Sequence, residues 1–351
     1  MSSPTGGERG RVGSFRRAAP LLLALAATAG AWLWPGVPAS ARPVLWAYAL
    51  ALIGWTATPL SPGFVALAAV VGLTAGGAVP QDRLARVLAS DVVWLIVGAF
   101  VLAEAVARSG LGDRVAAAVA RSARTPRGLC WRLTAALVGL AFVLPSTTAR
   151  ASLALPVVRA SAGGDGRLAR CLGLLVPAVI LVSTTVTLTG AAAHVLAEEM
   201  LVRAGHQPIG FAHWVLLAGP FGVIASVIAV AAVLRVCPPG DELPVAPAAE
   251  PSGHWTRAEG VTLLIAVATL GLWLSPGWHG LGVTPVMLLA GVALLAPGVG
   301  VVDWKETIGG VPWDLVVFAG GAVWLGTALA ESGASGWVVG GMAARLSGVP
   351  P

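Results

Sequence analysis

Apolar, nearly uncharged stretches of about 15 to 27 residues recur along the whole sequence, and a bilayer span needs about 17–25 such residues. That recurrence makes lipid the solvent of this 351-residue protein. Charge agrees with it. Only 11% of residues are Asp, Glu, Lys or Arg and 57% are hydrophobic, against about 25% charged in soluble domains. A soluble protein of this size cannot cover its surface with so few charges. Backbone polar groups in hydrocarbon must be bonded within their own segment, so the reading is an all-α integral membrane fold. The net charge of +6 would suit nucleic acid, but the basic residues sit in short loops between apolar runs, which is a topology signal. Cys130, Cys171 and Cys237 are odd in number and scattered, which suits neither a disulfide framework nor a zinc site. Lys305 is the only lysine among many arginines, alanines and glycines. That bias fits GC-rich coding and a bacterial inner membrane.

Nine spans are predicted, at 18–34, 44–60, 64–80, 91–108, 171–198, 213–235, 259–275, 282–297 and 312–330. Arg16-Arg17, the run to Trp34 and Ala39-Ser40-Ala41 imitate a secretory signal and its cleavage site. The uncleaved spans that follow favour a first span instead. Between the fourth and fifth spans, residues 129–145 are apolar, 146–150 polar and 151–158 apolar. Each arm is short for a span, so the segment at about 129–158 reads as a re-entrant hairpin with its tip in the membrane. With the N-terminus cytoplasmic, 16 of the 22 basic residues fall inside, 5 outside and Arg150 at the tip. That bias has the expected sign. A true span in place of the hairpin would move Arg159, Arg167 and Arg170 outside and blur it.

Residues 237–257, rich in Pro, Ala and acid, form a cytoplasmic linker between two halves. The predicted organisation is a tail and first span at 1–40, a first repeat at 41–236, the linker, and a second repeat at 258–351. A shift of 223 positions lays residues 91–115 on 314–338 without a gap, with 10 of 25 identical. Asp91 meets Asp314, Gly98-Ala99 meets Gly321-Ala322, and Ser109-Gly110 meets Ser332-Gly333. The two copies thread the membrane in opposite senses, which makes an inverted repeat. The same shift places a twin of the hairpin tip near 368–379, past Pro351. The second repeat is therefore expected to be incomplete, with the sequence truncated at its C-terminal end.

Leu144-Pro145-Ser146-Thr147-Thr148-Ala149-Arg150-Ala151-Ser152 is the strongest motif. A helix break within a membrane exposes carbonyls that suit a cation and N–H groups that suit an anion. Ser146, Thr147 and Thr148 add hydroxyls, and Arg150 adds a fixed charge. The rival reading is a Ser/Thr cap with Arg150 snorkelling to phosphate. In the fifth span, Ser183-Thr184-Thr185 and Thr187-Leu188-Thr189-Gly190 interrupt an uncharged run. Hydroxyls plus Gly at mid-span suit a local unwinding that coordinates a cation, or side chains bonded back to their own helix.

Pro145-Ser146-Thr147-Thr148 resembles the Ser-Asn-Thr hairpin motif of the divalent-anion/sodium symporters, the dicarboxylate, citrate and sulfate carriers of the ion transporter superfamily. Phe211-Ala212-His213-Trp214 with Gly219-Pro220 is similar to that family's entry into its sixth span. Trp313-Asp314, Gly320-Gly321 and Ser332-Gly333 resemble the start of its second repeat. The resemblance covers about 40–340. It implies an elevator-type, homodimeric secondary carrier with no cofactor and sodium as coupling ion. Carried over, Ser146, Thr147 and Thr148 contact the anion and sodium, and Thr187, Thr189 and Gly190 complete the sodium shell; the charge of Arg150, read from the motif itself, adds it to the anion-binding residues. Thr147 stands where Asn is usual, which removes an amide donor. Ala191-Ala192-Ala193-His194 replaces a Gly-Thr-Pro-Pro-Asn-like stretch. Alternatives are a proton-coupled or oxyanion permease of the same superfamily, or a transport-incompetent membrane fragment or scaffold.

An enzyme is not expected. Pro251-Ser252-Gly253-His254 matches one lipid-phosphatase motif, but its companion motifs are missing. His194 and Glu198 are spaced for a metal pair without a third ligand. Glu104 is expected to pair with Arg108 one turn on.

Overall fold

The computed structural model describes residues 30, 32, 36–144, 146–160, 166–203, 205–241, 253–298 and 300–346. The first predicted span at 18–34 and most of the linker at 237–257 lie outside the described residues. Among those described, every regular element is helical. The protein packs as two compact units, residues 1–93 with 312–351, and residues 94–311.

The first unit holds α1 (Ala41–Ala57), α2 (Pro62–Ala75) and a 3₁₀ stretch at Gln81–Val87. Helices α13 (Trp313–Glu331) and α14 (Ala334–Leu346) complete it. Ser61 caps α2 by accepting from the Phe64 amide, and Pro62 at its first turn needs no partner for a missing N–H. Asp314 reaches that same helix start. Its carboxylate accepts from the Gly63 amide at 3.0 Å and from the Ser61 hydroxyl. At the other end, Trp324 Nε1 donates to the Arg83 carbonyl at 2.8 Å, Arg83 pairs with Glu331, and Ser40 donates to the Ser332 carbonyl at 3.1 Å. Each of these contacts joins residues that the predicted threading puts on one side of the membrane. The core is small apolar residues on α1, α2 and α13, with Trp324 and Leu325 buried among them.

The second unit takes in most of α3 (Asp91–Ser109), then α4 (Leu111–Ser122), α5 (Pro126–Leu140) and α6 (Thr147–Ala160). Helices α7 (Arg167–Ser183), α8 (Ala192–Arg203), α9 (Phe211–Val236), α10 (Arg257–Leu274), α11 (Val283–Leu295) and α12 (Trp304–Gly310) follow. Helices α3, α9, α10, α13 and the stretch Arg167–Val186 are long and apolar enough to cross a membrane. Helices α2 and α11 are apolar but have only 14 and 13 residues. At 1.5 Å per residue they reach about 20 Å, short of a core of about 30 Å. Gly76-Gly77 stops the first and Pro297-Gly298 follows the second, so the predicted spans 64–80 and 282–297 are shorter as helices.

Helix α4 is amphipathic and lies against the hairpin helices. Its Arg114 grips Glu259 with two bonds, Nε to Oε1 at 2.8 Å and Nη2 to Oε2 at 3.0 Å. Arg114 also donates to the His254 carbonyl and sits 4.7 Å from the Trp255 ring centre. The Glu259 hydrogen bonds hold the Arg114 guanidinium above its ordinary pKa. Glu259 simultaneously completes a capping box with Thr256 at the start of α10. Glu104 pairs with Arg108 at 2.6 Å, as its spacing predicts, and Arg108 also reaches Glu306.

Candidate functional site

Helices α5 and α6 form a hairpin, and two contacts fix its direction. Cys130 Sγ on α5 lies 4.0 Å from Cys171 Sγ near the start of α7. The Thr187 hydroxyl, beyond the end of α7, donates to the Ala141 carbonyl at the end of α5, 3.2 Å away. The two helices therefore run side by side in the same sense. Only residues 161–166 join α6 to α7, so α6 must end near where α5 began. The arms have 15 and 14 residues, about 22 Å each. Thr125 caps the first arm through the Gly128 amide, and Pro126 opens it. Ser146 caps the second by accepting from the Ala149 amide at 3.2 Å.

The turn meets a break in the helix beside it. Helix α7 ends at Ser183, two 3₁₀ turns follow at Thr184–Val186 and Leu188–Gly190, and α8 begins at Ala192. Thr187 and Ala191 are extended, with φ −127° and −143°. The predicted span 171–198 is thus interrupted at its Ser/Thr/Gly cluster. Neighbours satisfy the freed carbonyls. Trp214 Nε1 on α9 donates to the Thr185 carbonyl at 3.1 Å, and the Gly190 amide returns to the Thr187 carbonyl at 3.1 Å. His194 Nδ1 lies 3.3 Å from that same carbonyl, with its ring 4.7 Å from Trp214. Gly190 is required by close approach: a Cβ there would fall 2.0 Å from the Thr184 carbonyl oxygen. Gly222 on α9 is also closely packed, since a Cβ would fall 2.7 Å from the Thr185 hydroxyl.

The predicted site residues fall into two groups within this unit. Ser146, Thr147 and Thr148 form the start of α6, with Thr148 exposed. The first amides of a helix have no intrahelical acceptor, and those of Thr147 and Thr148 have no partner among the described residues. Thr187, Thr189 and Gly190 line the break and are buried. The Thr189 hydroxyl has no partner among the described residues. Pro145 lies outside the described residues.

Arg150 is the residue the structure places least expectedly. It is 0% exposed, so its guanidinium does not snorkel to a headgroup. Nη1 donates to the Ser183 hydroxyl at 2.9 Å, while Nε and Nη2 have no partner among the described residues. A permanent cation thus stands between the second hairpin arm and the end of α7. Ser183 was not singled out as a site residue, although it opens the Ser-Thr-Thr run that marks the break. Its hydroxyl both accepts from Arg150 and donates to the Ile180 carbonyl. His194 and Glu198 do not converge, because Glu198 accepts from the Gly210 amide at 2.8 Å. Among the described residues no group of three His, Cys, Asp or Glu could hold a metal.

The arrangement pairs helix N–H groups and hydroxyls, suited to an anion, with carbonyls and hydroxyls, suited to a cation, around one hairpin turn. The sequence as a whole is similar to those of known transport proteins. The dicarboxylate transporter 1 of spinach chloroplasts is 27% identical over 92% of this chain and 61% of its own length. The citrate/succinate antiporter of Escherichia coli K12 is 29% identical over 75% of this chain and 57% of its own. The putative malate transporter YflS of Bacillus subtilis is 24% identical over 94% of this chain and 73% of its own. The protein spans about 57–61% of the length of the first relatives it matches. These relatives are carriers and not enzymes. The transmembrane region described as that of the sodium:sulfate symporters matches residues 16–351, and the protein belongs to that membrane transporter family.

Proposed function

We propose that this protein is a secondary carrier of small di- and tricarboxylates or sulfate-like anions, working by an elevator motion of the hairpin unit in a homodimer. The observation that carries this reading is the Thr187–Ala141 contact, which sets the hairpin turn against the helix break. The hairpin is re-entrant in this reading, entering from the cytoplasmic face. Ser146, Thr147 and Thr148 hold a substrate carboxylate at the start of α6, where the helix dipole favours negative charge. Sodium sits among Ser146, Thr148, Thr187, Thr189 and the Gly190 backbone. The unpartnered Thr189 hydroxyl supports an oxygen ligand aimed at a cation there.

Arg150 favours a second reading of the coupling. A buried guanidinium beside Ser183 already supplies the positive charge that a coupling sodium would bring to a dianion. Transport would then be sodium-independent exchange; exchange is what the name of the Escherichia coli citrate/succinate antiporter states for that protein. One experiment tests both readings. Proteoliposomes bearing the protein are loaded with unlabelled succinate and offered labelled succinate, citrate or sulfate, with and without sodium. Uptake that needs a sodium gradient supports the first reading, and counterflow that ignores sodium supports the second. No uptake of any of these anions under either condition would refute the carrier assignment.

A further inference from the structure

We propose that the membrane-facing end of the hairpin unit, where α4 ends and α5 and α7 begin, is a binding surface for anionic phospholipid headgroups. Arg121, Arg124, Arg127, Arg132, Arg159 and Arg170 are all exposed there. Arg121 to Arg132 lie along the end of α4, the link to α5 and the first two turns of α5. The Cys130–Cys171 contact brings Arg170 beside them, and the short link from α6 to α7 brings Arg159.

The guanidinium groups of these six arginines have no hydrogen-bond or ion-pair partner among the described residues. Other arginines of this protein behave differently. Arg83, Arg108 and Arg114 each hold a carboxylate. The charge at the hairpin end is therefore not balanced from within the described protein. Two helix N-termini add to it. Neither α5 nor α7 carries an acid in its first turn, and each helix start is equivalent to about half a positive charge. Backbone amides at such ends bind phosphate readily.

The occupant follows from position. The stretch Arg167–Val186 is long and apolar enough to span a membrane, so its start lies at the boundary where headgroups are. Trp131, exposed between Arg127 and Arg132, is a residue that favours the same layer. A fixed sheet of phosphodiesters is the anion that layer supplies. Each basic residue near an anionic surface is worth about 1 kcal/mol, or about fivefold in affinity.

The test is native mass spectrometry of the protein released from mixed micelles of phosphatidylglycerol and phosphatidylcholine. Wild-type protein should retain phosphatidylglycerol in preference to phosphatidylcholine, and rising salt should erode that preference. The variant with Arg124, Arg127 and Arg132 changed to Gln should lower the ratio by at least about tenfold. The variant with the same three changed to Lys keeps the charge and should hold the ratio within about twofold of wild type. Glycerol phosphate in solution should not displace the lipid, which separates a headgroup surface from a site for free phosphate. Equal retention of both lipids by wild type would overturn the proposal, leaving these arginines as a solvated, topology-setting face. If the Gln variant does not insert, a wild-type preference that ignores salt would overturn it equally.

Discussion

Replacing Arg150 by Met should make the protein more stable and less active at once. The guanidinium is wholly buried and makes one hydrogen bond, to a neutral hydroxyl. Burying an ion costs several kcal/mol even after relaxation, and a hydrogen bond involving a charged group returns about 1.5–3 kcal/mol. Met fills similar length with apolar atoms and leaves Ser183 still donating to the Ile180 carbonyl, so nothing new is orphaned. The balance favours the variant by about 1–4 kcal/mol, the range seen when buried ions give way to apolar residues. At about 2–4 °C per kcal/mol for a protein of a few hundred residues, the melting temperature should rise by about 2–16 °C. The assay is intrinsic tryptophan fluorescence on heating in detergent, followed by succinate uptake in proteoliposomes. Uptake should fall to background. A lower melting temperature would refute the reasoning, because it would mean that other groups hold the guanidinium and that it stabilises the hairpin. A higher melting temperature with normal uptake would remove Arg150 from the transport cycle.

Gly190→Ala sets a methyl 2.0 Å from the Thr184 carbonyl oxygen. Overpacking of this kind costs about 1–3 kcal/mol, so melting temperature and uptake should both fall, whereas Gly173→Ala, with open space at its Cβ, should do neither. Thr148→Ala removes an exposed hydroxyl and should abolish sodium-dependent uptake without loss of expression; unchanged sodium dependence would end its assignment. Ser146→Ala also loses a helix cap worth about 1 kcal/mol, so it should lose both uptake and a few degrees of melting temperature. A cysteine in place of Val245 should be labelled by an impermeant reagent only from the cytoplasmic face, and labelling of intact cells would reverse the topology.

The hydrophobic pattern carried the fold because in lipid the backbone must bond to itself, leaving the length of each apolar run as the main variable. The two stretches that the shift of 223 pairs also look alike as helices. Asp91–Ser109 and Trp313–Glu331 are both 19-residue helices, and each is followed by a glycine with positive φ, Gly110 at 83° and Gly333 at 79°. A Ser-Gly pair at a fixed distance after an Asp is a local signal that survives reading one residue at a time. The break at 184–191 announced itself through clustered hydroxyls ahead of Gly190. Arg150 did not, because an arginine beside three hydroxyls at the edge of an apolar arm reads the same whether it points to a headgroup or inward. Only the approach of Ser183, 33 residues on, decides between them. The Arg114 grip on Glu259 was illegible for the same reason, as 145 residues separate its partners.

The break has a further consequence for biogenesis. Arg167 to Val186, α7 with the first 3₁₀ turn of the break, supplies an apolar stretch of 20 residues, enough for the insertion machinery to accept a span without reading further. The carbonyl freed at Thr185 is then bonded by Trp214, and Gly222 makes room for the bent backbone. Both belong to α9, which is synthesised later. While α9 is absent that carbonyl would face hydrocarbon unbonded, which favours a straight helix for the nascent segment. On this argument the segment is expected to enter the bilayer as a regular span and to unwind when its neighbour docks.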